Sequence, residues 1–203
     1  MEFTASSVSE AWQASIPLLL ADGKWVPTER GMRALELQNV LFCVTHPTLN
    51  PPLPQKYGFA PDYVATHIGT FHENYSGTSI RTRLYQYNGQ FNQIDAVVRK
   101  LKENWYSRRA VVVAWEPVTD TESPRPPCPI ALTFLVRDKR LLLTAVLRSN
   151  DAWLATIPDM IALTQVQHEV SCQLALGMGA YTHLAISYHI YQPDIADART
   201  HFS

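Results

Sequence analysis

One stretch constrains the fold more than any other: IALTFLVRDKRLLLTAVLRS, residues 130–149. Two apolar runs rich in strand-forming residues flank Asp138 and Lys139. Each is too short for a stable helix, and the polar pair between them suits a turn, so the segment predicts an antiparallel hairpin. Other elements can be placed around it. Residues 8–20 have a helical apolar pattern that stops at Asp22-Gly23, and ALELQNVLFCVT reads as a strand after a turn at WVPTERG. FNQIDAVVRKLKENW puts Ile94, Val97, Val98 and Leu101 on one helical face. Residues 62–71 fit a short helix, Ala110–Trp115 a buried strand, 158–176 a long helix, and YTHLAISYHIYQP a final strand. The loops are HPTLNPPLPQKYGFAP, FHENYSGTSI and EPVTDTESPRPP. With no repeat or linker, residues 1–203 form one domain, and periodicity alone leaves α+β and α/β both open.

Composition narrows the function. At 203 residues and 46% hydrophobic content, the chain can bury a core without a disulfide or structural metal. A net charge of -1 argues against a protein that coats a nucleic-acid polymer. Cys43, Cys128 and Cys172 are odd in number and lack a CxxC pair, which fits a reducing, cytoplasmic setting. The N-terminus has no signal-peptide pattern, and SIPLLLADG is too short to span a bilayer. Nucleotide-loop, zincin and nucleophile-elbow motifs are all missing. The seven histidines are scattered, and His67 and His72 lack a third ligand, so no metal is expected.

The remaining polar residues interrupt apolar surroundings. Arg108 and Arg109 lie between a helix and a strand, where they could simply offset a helix dipole. Cys128 follows PRPP and could be a small buried hydrophobe. Arg148-Ser149-Asn150-Asp151 ends the hairpin, and His189 and Tyr191 share one face of the last strand.

Together, SRRAVVVAW, PPC, FLVRDKRLLLTAVLRSND and YHIY resemble the thymidylate synthase and (deoxy)cytidylate hydroxymethylase family. The four motifs come in family order across residues 88–192, about half the chain. The resemblance implies an α+β fold, a mixed sheet with flanking helices that dimerises through the sheet. It also implies an enzyme that transfers one carbon from 5,10-methylenetetrahydrofolate to C5 of a pyrimidine nucleoside monophosphate.

In that family pattern Cys128 adds to C6, with Arg148 as the cation that favours its thiolate. Arg148, Ser149 and, from the other subunit, Arg108 and Arg109 hold the phosphate. Either Arg30 or Arg33 completes that cluster. His189 and Tyr191 take the sugar hydroxyl, and Asp151 orients folate or water. Asp159 falls where uracil enzymes carry asparagine and cytosine hydroxymethylases aspartate, so the resemblance favours CMP or dCMP over dUMP. A slip of one residue would instead put Met160 there, and an acid after Pro158 could be a mere helix start. Three departures stand out. Residue 129 is proline where the family has histidine or asparagine, the family's proton-transfer glutamate falls near His67, and only twelve residues follow Tyr191. A catalytically reduced nucleotide-binding homologue is the rival from another class.

Overall fold

The computed structural model describes residues 1–54, 61–72 and 80–202. Parts of the first two expected loops, 55–60 and 73–79, lie outside the described residues. The chain runs β1 (Glu2–Ala5), α1 (Val8–Asp22), β2 (Lys24–Pro27), β3 (Arg33–Val44), α2 (Pro61–His72), α3 (Ile80–Tyr85), α4 (Gln93–Glu103), β4 (Val111–Val113) and α5 (Pro117–Asp120). It continues with β5 (Pro129–Arg137), β6 (Arg140–Leu147), β7 (Asn150–Asp151), α6 (Thr156–Gln173), β8 (Gly177–Tyr191) and α7 (Ile195–Phe202).

A mixed sheet in the order β1-β3-β8-β6-β5-β4 forms the body, with β2 paired to β3 and β7 to β8. The expected hairpin is β5–β6, in register from Ala131↔Val146 to Arg137↔Arg140, with a one-residue shift before the Pro129↔Leu147 pair. Asp138 and Lys139 both take positive φ, 49° and 57°, the backbone demanded by a two-residue turn that follows the strand twist. Helices α1 and α6 pack on one face of the sheet, where Leu141, Leu143, Ala145, Tyr181, His183 and Ala185 are fully buried. Residues of opposite parity, such as Leu135, Leu142, Val146 and Leu184, remain only half-buried. Helix α4 begins at the Asn92 cap and buries the four apolar residues that its periodicity singled out.

Several elements depart from the sequence reading. Part of the WVPTERG turn is strand β2, whose Trp25 and Val26 pair with Leu35 and Ala34. The proline-rich segment 116–127 contains helix α5, capped by Glu116. There Asp120 receives two hydrogen bonds from buried Arg83, while a further Arg83 N–H donates to Ala114 O at 2.8 Å. The residues after Tyr191 form a 3-10 turn and α7, which docks Phe202 on Trp12 (5.4 Å) and His201 on Trp153 (5.5 Å). These segments are short, and tertiary contacts with β3, Arg83 of α3 or α1 stabilise them, so their local patterns carry little signal.

Candidate active site

The site forms where β5 begins, β6 ends and α6 starts. Beyond the Pro129↔Leu147 pair, Arg148 N–H donates to Cys128 C=O at 2.9 Å, which holds the cysteine and the Arg-Ser pair together. Cys128 Sγ lies 3.7 Å from Ser149 Oγ. Arg148 donates from each of its three nitrogens, with a second N–H left on Nη1 and on Nη2: Nε donates to Pro127 O at 2.9 Å, Nη2 to Pro126 O at 2.8 Å and Nη1 to Ser149 Oγ at 3.1 Å. It clamps the proline segment that carries Cys128.

Its charge does not make a resting thiolate. Burial and then the negative charge of Asp159 push the Cys128 thiol up, and Arg148 and Ser149 offset this only in part. Arg148 acts in the expected sense, favouring the thiolate, but burial and Asp159 outweigh it. The apolar strand ends around Cys128 raise the cost of the anion beyond what one half-committed guanidinium supplies.

Asn150 and Asp151 form β7, which pairs in parallel with Tyr188 and His189 of β8. Asp151 Oδ1 accepts from the N–H groups of Trp153 and Leu154, both at 3.0 Å, and so caps the turn into α6. Trp12 of α1 fixes the same turn, its indole donating to Ala152 O at 2.6 Å. Burial raises Asp151, against opposing pulls from the Leu154 amide, His189 and others.

Asp159 stands in the first turn of α6, where the helix dipole favours an acid, with its N–H bonded to Ala155 O at 2.9 Å. That carboxylate accepts from Asn150 Nδ2 at 2.8 Å and pairs with His67 Nε2 at 3.2 Å. Met160, the residue that a one-residue slip would choose, is fully buried in the core. Helix α2 delivers His67, and Tyr63 one turn earlier donates to Leu154 O at 3.1 Å. Burial lowers the His67 pKa, but the bond to Asp159 and the charges of Asp159 and Asp151 outweigh it, and the net shift is upward.

His189 and Tyr191 reach the site because β8 changes phase. Tyr181, His183 and Ala185 point inward, yet further along the inward residues are Tyr188 and Ile190. The change falls at Ile186, beside Asn39 of β3, which takes a φ of 54°. The kink turns His189 and Tyr191 out of the core and packs their rings 4.8 Å apart. Arg30 lies over Tyr191 at 5.0 Å, whereas Arg33 stacks on Trp25 at 4.8 Å. Of the two arginines left open by the sequence, Arg30 is the one at the site.

Arg108 and Arg109 are exposed and distant from Cys128. Val111 pairs with Thr133 and Ala110 accepts from Phe134, so Arg109 lies across from Leu135. That level is seven residue steps from Cys128, roughly 23 Å along β5.

Sequence reading missed Asn150, Tyr63, and the inward pair Tyr181 and His183. Asn150 sat inside the quoted RSND motif, and Tyr63 one helical turn before His67. Nothing in the sequence marked the other two.

A half-buried cysteine joined to an Arg-Ser pair, beside a carboxylate and a histidine at the end of a mixed sheet, defines a nucleophilic enzyme for a small anionic substrate. The thymidylate synthase family model matches residues 39–203. A protein from Methanocaldococcus jannaschii named "Putative thymidylate synthase" is 35% identical, over 91% of this chain and 88% of its own. Proteins of the same name from Methanothermobacter marburgensis (26%, over 98% and 96%) and Methanosarcina mazei (28%, over 94% and 89%) also match. The chain belongs to the thymidylate synthase family. It is a folate-dependent one-carbon transferase for a pyrimidine nucleotide, with methylenetetrahydrofolate as the carbon source. Among the described residues no helix is long and apolar enough to cross a membrane.

Proposed function

We propose that this enzyme is a CMP or dCMP 5-hydroxymethylase. The observation that carries the reading is the Asp159 carboxylate, an acceptor toward His67 and Asn150 with lone pairs left for a base. Cytosine offers its N4 amino group as a donor, and N3 becomes a second donor once protonated. Uracil would set O4, an acceptor, against the carboxylate. The contact to cytosine strengthens as the ring is attacked, which favours the transition state over the ground state.

In the reaction Cys128 sulfur bonds to C6, and the C5=C6 electron pair moves toward C5 and into the ring, which takes a proton at N3. Loss of the C5 hydrogen as a proton and expulsion of the sulfur restore the double bond. The thiol, raised by burial, must lose its proton before the sulfur attacks. His67, paired with Asp159, is the proton carrier in place of the family glutamate. Methylenetetrahydrofolate would supply the carbon that C5 receives and leave as tetrahydrofolate, with water supplying the hydroxyl oxygen as the sulfur is expelled. Asp151 fits it chemically, because Oδ1 is committed to the backbone and Oδ2 can accept from pterin N–H groups.

Arg148, Ser149 and Arg30 take the phosphate, and His189 and Tyr191 the sugar. Arg108 and Arg109 act from a second copy, since their distance along β5 keeps them from Cys128 in their own chain. The half-buried apolar sheet face, with exposed Trp105, Tyr106, Val111 and Val113 near the arginines, suits such a homodimer.

The names of the relatives favour a second reading, a dUMP methylase. Release of labelled C5 hydrogen from CMP, dCMP and dUMP decides between them. The hydroxymethylase reading expects a cytosine preference of about one to three orders of magnitude in kcat/KM, the scale of a bidentate base contact plus a buried acceptor clash. Asp159→Asn should narrow or reverse it. A wild-type preference for dUMP would give the methylase reading the lead.

A further inference from the structure

Behind Asp159 runs a line of hydrogen bonds into the core. Tyr181 OH lies 2.8 Å from His183 Nδ1, His183 Nε2 lies 3.1 Å from Asn150 Oδ1, and Asn150 Nδ2 lies 2.8 Å from Asp159. Thr156 Oγ1 adds a bond to Asn150 Oδ1 at 2.6 Å. Tyr181, His183, Asn150 and Thr156 are all fully buried, so water supplies no alternative partners.

These bonds have only one consistent direction when Asp159 is ionised. The carboxylate can only accept, so Asn150 must turn its amide N–H toward it. Asn150 Oδ1 then faces His183, which must carry its proton on Nε2, and Tyr181 O–H donates to the bare Nδ1. Burial keeps the imidazole neutral, which this alternation requires. Reversing the line would turn Asn150 Oδ1 toward Asp159, and that is tolerable only if Asp159 holds a proton. A protonated Asp159 could donate to O4 of uracil.

We infer that His183, through Asn150, is a positioning residue that holds Asp159 as an acceptor and thereby sets the preference for cytosine over uracil from two hydrogen bonds away. The inference rests on the proposed role of Asp159 as the base reader. His183 touches no substrate. It works by denying Asn150 the rotation that would reverse the line. The ring stacks edge-on against Phe42 at 5.9 Å, a contact that a phenylalanine in its place would keep.

The test measures C5 hydrogen release from CMP and dUMP on the same preparation of wild type, His183→Phe and His183→Gln. A ratio of two substrates cancels any loss of folded protein. His183→Phe should narrow the CMP:dUMP ratio roughly three- to tenfold, the range of one neutral hydrogen bond. His183→Gln, whose amide can still donate to Asn150, should keep the wild-type ratio. If His183→Phe does not fold, Tyr181→Phe removes only the far end of the line and should narrow the ratio in the same sense. A cytosine preference in wild type that His183→Phe or Tyr181→Phe leaves unchanged would overturn this inference while sparing the base-reading role. A wild-type preference for dUMP would overturn both.

Discussion

Lowering the pH should destabilise the protein through His183, before most carboxylates titrate. Burial alone holds this imidazole at about 3, against an ordinary value of 6.5. The folded state thus binds fewer protons than the unfolded chain between those values. The stability due to His183 is fully present above pH 6.5 and is lost as pH falls toward the folded value. From pH 8 to pH 5 the unfolded histidine gains almost a full proton and the folded one almost none, a loss of about 2 kcal/mol. The figure requires only that the folded value lie well below 5. His189, also lowered by burial, acts in the same sense. His67 acts oppositely: its contribution is present below 6.5 and disappears as pH rises through its raised folded value. The wild-type slope is therefore a sum. Subtracting the slope of His183→Gln isolates the one residue, whatever the mutant's absolute stability. Urea unfolding of both proteins at pH 8 and pH 5, at one fixed protein concentration, gives the difference. Equal slopes would mean that His183 is protonated in the native protein, and the direction assigned to the buried line would be wrong.

Three further outcomes are expected. Cys128→Ser should retain nucleotide binding by titration but lose C5 hydrogen release entirely, whereas Cys43→Ser and Cys172→Ser should leave release intact. Arg30→Ala should weaken nucleotide binding by about tenfold or more, as befits a charged hydrogen bond, and Arg33→Ala should leave it within about twofold; similar losses in both would remove Arg30 from its assigned place beside the nucleotide. Mixing inactive Arg109→Ala with inactive Cys128→Ala should restore activity through hybrid dimers, and a monomer in sedimentation with full phosphate affinity would exclude the shared site.

The sequence revealed elements whose own residues carry the pattern. The β5–β6 hairpin and α4 were legible because alternation, turn residues and the 3.6-residue period all act within one segment. Strands β1 and β2 were not. Phe3 and Trp25 acquire a strand role only by pairing with Phe42 and Leu35, so the information lies in the partner. The site divides in the same way. Cys128, Arg148, Ser149 and Asp151 lay in motifs, and the end of the hairpin does bring them together. The choice between Arg30 and Arg33 needed the cation-π contact with Tyr191, since both arginines follow one turn. By strand pattern alone His183 and His189, six residues apart, would share a face, and only the YHIY motif singled out the second. Only the phase change at Ile186 makes one a core residue and the other a site residue.

That phase change also explains how one strand serves both needs. A β-strand of constant phase would keep His183 and His189, an even number apart, on the same face. Both would then be buried or both exposed. The kink beside Asn39 lets the first half of β8 supply Tyr181 and His183 to the dry interior behind Asp159. The second half presents His189 and Tyr191 to the side where Arg30 and Asp151 wait. Asp159 therefore meets two environments at once: a waterless line on one side that fixes its hydrogen-bonding sense, and a partly exposed histidine on the other that can exchange protons. In the proposed hydroxymethylase, the buried line would hold the carboxylate as an acceptor for the base, and His67 would carry the proton.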